Sequence, residues 1–247
     1  MNHTADGLTR RSLIQMGFAA LTSASFGSIY AQNTPSPIHI FVEESGVFGG
    51  PDPFCIGAIL TKEPKNHLNH VWHLRLRHHY RSRLLYRSTD KFKQPFARSV
   101  VEYFFRTPDL RFAARIIKKR ETDQQMSRSA RETIYHQHYK KLILDSAPKN
   151  VPVHLTLVNH STGGSDGLLR SYLRDELRDV VSIQVARLRE NDLLQLANLL
   201  AGSVSEGDIL ANKVKLSSVL QLKQILHLDE LTSPALWRNP KFKVRVV

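Results

Sequence analysis

From Ile38 onward the chain alternates runs that repeat every two residues with runs that repeat every three to four, and this alternation limits its fold more than any single motif does. Ile38 to Val42 (IHIFV) is rich in β-branched and aromatic residues and reads as a strand. Phe54 to Thr61 (FCIGAILT) is mostly apolar and reads as a buried partner strand, reached through the turn Gly49-Gly50-Pro51-Asp52-Pro53. Leu68, Val71, Trp72, Leu76, Tyr80 and Leu84 recur at helical spacing and predict a helix from Asn66 to Arg87. A second helix is expected from Phe92 to Phe105, then a strand from Leu110 to Ile117. Helices over 127–144, 168–177, 193–204 and 214–226 and strands over 151–158 and 180–185 complete the pattern, with a basic tail from Trp237 to Val247. As far as residue 204 the order β-β-α-α-β-α-β-α-β-α predicts an α/β layer fold in which a mixed sheet opens with a hairpin and is covered by helices.

Composition bounds the partners more than the fold. With 41% hydrophobic residues over 247 positions, the chain has enough apolar surface for a self-sufficient core, and a disordered chain is excluded. Its single cysteine, Cys55, excludes an intramolecular disulfide framework and a cysteine-based zinc site, and its apolar surroundings mark it as a packed small hydrophobe. Lys and Arg number 35 against 22 Asp and Glu, a net charge of +13. Such a field attracts phosphate polymers, anionic lipid surfaces or acidic partners without choosing among them.

Residues 1–31 do not read as part of a fold. Thr9-Arg10-Arg11-Ser12-Leu13-Ile14 resembles the twin-arginine export signal, and an uncharged, weakly apolar stretch follows as far as Ala31. That stretch is shorter than the roughly 20 apolar residues a membrane span needs. The expected organisation is therefore a signal peptide over 1–31 cut after Ala31, a spacer over 32–37, a domain over 38–205, and a C-terminal helical extension with a basic tail over 206–247. The expected location is periplasmic or extracellular, reached through the twin-arginine export machinery and with no membrane span in the mature chain; the alternative is the cytoplasm. Removing Arg10, Arg11 and Asp6 changes the charge little, so the basicity belongs to the folded part.

Two segments carry chemistry. IHIFVEESG delivers the adjacent carboxylates Glu43 and Glu44 into a glycine turn. LLQLANLLAG is an apolar helix with polar residues only at Gln195 and Asn198, three apart and so on one face, which must meet something polar. Glu43-Glu44-Ser45-Gly46 and Gln195-Leu196-Ala197-Asn198-Leu199-Leu200-Ala201-Gly202, in that order, resemble the opening and closing motifs of the domain-of-unknown-function 3800 family, Asp-Glu-Ser-Gly and Gln-Leu-Ala-Asp-Leu-Leu-Ala-Gly. Phe96 to Lys118 is similar to that family's middle segment, and the resemblance covers roughly 38–205. It implies a ribonuclease H-like fold and an acidic divalent-metal site for phosphodiester cleavage.

This chain departs from that pattern at the ligands. Glu43 stands where the family has Asp, and Asn198 and Asn159 stand where acids are expected. An intact site would draw on Glu43, Asn159 and Asn198 to hold Mg²⁺ or Mn²⁺, with Glu43, Glu44 and Asn198 as its catalytic set. An amide coordinates through its carbonyl but cannot neutralise a cation, so a degenerate site is expected. The stretch 66–93 is strongly basic, and Arg75, Arg77, Arg81, Arg83 and Arg87, interleaved with Trp72, Tyr80 and Tyr86, form a candidate nucleic-acid surface. Three readings follow: a polyanion-binding protein with a degenerate metal site, an active metal-dependent nuclease, and an exported envelope-associated basic protein with no nucleic-acid role.

Overall fold

The computed structural model describes residues 35–46, 48, 53–86, 94–118, 126–158, 165–206 and 216–247. Its strands and helices are β1 (Ile38–Ser45), β2 (Phe54–Thr61), α1 (Pro64–Arg77), α2 (Gln94–Arg106), β3 (Arg111–Ile117), α3 (Arg128–Ser146), β4 (Val153–Val158), α4 (Ser165–Glu176), β5 (Val180–Ala186), α5 (Asp192–Glu206), α6 (Leu216–Leu226) and β6 (Phe242–Val246). The described strands form one six-stranded sheet in the order β5-β4-β1-β2-β3-β6. β1, β2 and β3 run antiparallel to one another in turn, whereas β4 is parallel to β1, β5 to β4 and β6 to β3. The architecture is the expected α/β layer fold, a mixed sheet that opens with a hairpin and is flanked by helices on both faces.

β2 lies at the middle of the sheet and is buried along its whole length, which explains a continuous apolar run rather than an alternating one. Alternate residues feed two cores. Cys55 and Ile59 pack with Val71, Phe96, Val100, Leu193, Leu196 and Leu200 from α1, α2 and α5. Phe54, Ile56, Ala58 and Leu60 pack with Tyr139, Leu142, Leu169 and Leu173 from α3 and α4. Gly57 lets α5 approach the sheet: a Cβ there would lie 2.8 Å from the Ala201 Cβ. Cys55 is fully buried, and burial pushes its thiol far above the ordinary value.

Two expectations need correction. The first helix ends at Arg77, not Arg87. No glycine marks this end; His79 takes the left-handed conformation at φ 49°, and the Tyr80 N–H donates to the Arg75 carbonyl at 2.8 Å. What rewards the turn is tertiary: the Tyr80 ring stacks on Phe96 with centroids 4.3 Å apart. Residues 80–85 then run as a strap across α5. The second correction concerns the C-terminal segment. Residues 242–246 are not a tail but strand β6, and Leu222, Leu231, Leu236, Phe242 and Val244 belong to the same core as α1, α2 and α5. Pro37–Val247 is one compact unit, with no boundary at 205.

Candidate functional site: a locked acid–amide pair beside a cationic groove

β1 brings Glu43 and Glu44 to opposite faces of the sheet, as the two-residue period requires. Glu43 is 3% exposed and faces α5, where the Asn198 Nδ2 donates to its Oε1 at 3.3 Å. The Glu43 Oε2 accepts from the Glu44 N–H at 2.8 Å. Glu44 faces α3, where the hydroxyls of Tyr135 and Tyr139 both donate to its Oε1. The pair therefore does not converge on one site.

Asn198 is committed at both ends. Its Nδ2 also donates to the Glu44 carbonyl at 2.9 Å, and its Oδ1 accepts from the Tyr86 N–H at 3.2 Å. A carbonyl can only accept and an N–H can only donate, so these two partners fix the amide orientation. The donor side of the amide, not its lone pairs, faces Glu43. Three residues earlier, the Gln195 Oε1 accepts from the Leu84 N–H at 2.6 Å. One turn further, Gly202 makes room for the Tyr86 ring; a Cβ there would lie 2.4 Å from it. The polar face of LLQLANLLAG thus meets the strap and satisfies its backbone.

Burial pushes the Glu43 carboxyl up to about 8; the Glu44 N–H opposes the rise, the Glu44 charge adds to it, and Asn198 opposes it. A neutral acid paired with an amide N–H₂ does not match what Mg²⁺ or Mn²⁺ requires, namely several converging anionic oxygens. Among the described residues no three His, Cys, Asp or Glu side chains gather to hold a metal. The described residues do not fit a two-metal centre. Asn159 lies outside them, as do Arg10, Arg11, Ala31 and Arg87.

The basic stretch divides into two roles. Arg75 is 8% exposed and is a structural residue, not a surface cation. Its Nε donates to Asp192 at 2.9 Å, its Nη2 to Gln195 at 2.9 Å, and its Nη1 to the Ser82 carbonyl at 2.7 Å. Its guanidinium also lies 5.2 Å from the Tyr80 ring and 5.0 Å from the Phe96 ring. Arg77, Arg81 and Arg83 are exposed, with no carboxylate partner among the described residues. Arg81 and Arg83 line a groove of about 1250 Å³ with Trp72, Leu76, His79 and Arg189. Trp72 and Leu76 are 56% and 54% exposed there. Glu190, paired with Arg187 and Arg189, is an acid on its rim. The role of Arg189 was not legible in the sequence, because it reaches the groove through a 3₁₀ turn over Leu188–Glu190 far along the chain.

No protein-family model matches the sequence, and no curated protein is significantly similar to it. Distant structural likenesses are found among solved ribonucleases H. The ribonuclease H2 from Pyrococcus horikoshii OT3 is 12% identical over 76% of this chain and 76% of its own, with a TM-score of 0.48. The RNase HII of Archaeoglobus fulgidus, solved in a complex with PCNA, is 12% identical over 83% of this chain and 96% of its own, at 0.46. Bst-RNase HIII, solved with Mn²⁺, is 16% identical over 81% of this chain and 59% of its own, at 0.43.

Proposed function

We propose that this chain binds nucleic acid through the groove beside α1, and that the Glu43–Asn198 pair is a structural joint in the place of a metal site. The observation that carries the reading is the exposed Trp72 indole in one groove with Arg81 and Arg83, whose guanidiniums have no carboxylate partner among the described residues. An aromatic face beside cations suits a single strand, where each stacked base is worth about 1–3 kcal/mol and the cations follow the phosphates. In the same reading the chain is a divergent relative of the domain-of-unknown-function 3800 family and is exported by its N-terminal segment. No described helix is long and apolar enough to cross a membrane.

The test is a salt titration of single-stranded DNA and RNA binding by fluorescence anisotropy. Two phosphate contacts, at Arg81 and Arg83, predict that log affinity falls with log salt at a slope of about −1.4. Trp72→Ala weakens binding, and Arg81→Gln with Arg83→Gln flattens the slope. Binding that ignores all three changes overturns the reading. Binding to anionic vesicles without nucleic-acid binding favours the envelope alternative. Mn²⁺-dependent cleavage that disappears in Glu43→Gln restores the nuclease.

A further inference from the structure

On the face of the sheet opposite the groove, a second pocket of about 250 Å³ opens between β3, β6, the C-terminal end of α3 and a 3₁₀ turn over Pro234–Arg238. Leu60 and Ala113 line it together with Arg111, Trp237, Arg238 and Lys243. The charges around it do not balance. Asp145 is the acid in its lining, and it is already shared. Its Oδ2 accepts from Arg115 Nη1 at 3.0 Å and from Arg245 Nη1 at 3.4 Å, and its backbone carbonyl accepts from Lys243 Nζ at 2.7 Å. Arg111 and Arg238 have no carboxylate partner among the described residues. Arg115, on the same face of β3 as Ala113, is 5% exposed, and its buried Nε has no hydrogen-bond partner among the described residues. A buried, incompletely satisfied guanidinium beside further cations holds the local potential positive. Trp237, in the lining, is 44% exposed.

We infer that this pocket binds a nucleotide-sized anion, a planar heterocycle carrying a phosphate, with the ring against Trp237 and the phosphate on Arg111 and Arg238. Guanidiniums suit phosphate because they can donate in parallel pairs, and an indole suits a flat ring. The volume admits one such group. The ligand is either a free mononucleotide or the phosphorylated end of a strand, and the pocket does not depend on the groove across the sheet.

The chain has two tryptophans, so Trp72→Leu leaves Trp237 as the sole indole reporter and at the same time removes the groove's aromatic stacking face. Fluorescence of this variant is titrated with adenosine monophosphate, with adenosine, and with a 5′-phosphorylated trinucleotide. The expected result is saturable quenching by the monophosphate or by the trinucleotide end. Adenosine binds at least about tenfold more weakly, and Arg111→Gln with Arg238→Gln weakens the phosphorylated ligand by about tenfold or more. Arg178→Gln, an exposed charge change elsewhere, leaves the titration unchanged. Quenching by the monophosphate assigns a free nucleotide, and quenching by the trinucleotide alone assigns a strand end. Absence of saturable quenching by either at millimolar concentration overturns the inference, as does equal binding of adenosine or equal weakening in Arg178→Gln.

Discussion

Glu43 is the residue on which the metal reading and the structural reading diverge most sharply, and its protonation separates them. Its carboxyl is held up to about 8 in the fold against an ordinary value near 4.5. Between those values the folded chain keeps a proton that the unfolded chain releases. The contribution of this one carboxyl to stability is therefore full below about 4.5 and is lost as pH rises from there through 8. Gln mimics the neutral acid in shape, so Glu43→Gln should remove that loss. By linkage the variant should be more stable than the parent at pH 8 by about 4 kcal/mol, with a difference below about 1 kcal/mol at pH 5. Urea denaturation at the two pH values checks this, and a variant less stable than the parent by the same amount at both refutes the neutral-acid account. Arg75 makes the opposite case. It and Asp192 are both largely buried, with side chains 10% and 16% exposed. Arg75→Ala strands that carboxylate along with Gln195 and the Ser82 carbonyl, and should cost about 3–5 kcal/mol. A loss below 1 kcal/mol by thermal denaturation would show that the strap holds without it.

At the scale of elements, what the sequence made legible follows from how local each cause is. The five strands from β1 to β5 sit where period and composition place them, because their apolar patterns answer directly to burial. The end of α1 was not legible, since helical spacing continues through Tyr80 and Leu84 while the chain actually turns at His79. Both residues stay buried by packing along the strap, so the same apolar positions serve two backbones. The polar face of α5 was legible as a demand for partners, but its partners, the N–H groups of Leu84 and Tyr86, are more than 100 residues away and side chains gave no hint of them. β6 was hidden because FKVRV carries cations on alternate positions, which reads as a charged tail. Those cations face the Asp145 side, while Phe242 and Val244 are fully buried on the other. Phe242 lies 4.8 Å from the Phe112 ring centroid and stacks on Phe105. Phe242→Ala should therefore cost about 3–5 kcal/mol, as a core cavity does and a tail residue does not. Equilibrium unfolding measures it, and a near-neutral change would return residues 242–246 to the status of an appendage.

At the scale of the whole molecule, the sheet divides the positive charge between two faces. The groove with Arg81 and Arg83 lies on the face covered by α1, α2 and α5, and the pocket with Arg111 and Arg238 on the face covered by α3 and α4. Both share the long-range field of a +13 chain, but short-range contacts do not cross a packed sheet. Two mutational effects without shared partners add to within about 0.5 kcal/mol. Combining Arg81→Gln and Arg83→Gln with Arg111→Gln and Arg238→Gln should thus weaken a long single strand that carries no terminal phosphate no more than the first pair does, beyond the small general effect of lowering net charge. The mononucleotide should respond only to the second pair. Raising salt separates the two causes, because screening removes the general field and leaves direct contacts partly intact. At high salt the residual affinity of the polymer should still depend on Trp72, whose stacking carries no charge. If all four substitutions instead act alike on both ligands and their effects vanish together with added salt, then what this chain offers is diffuse charge and neither face holds a site.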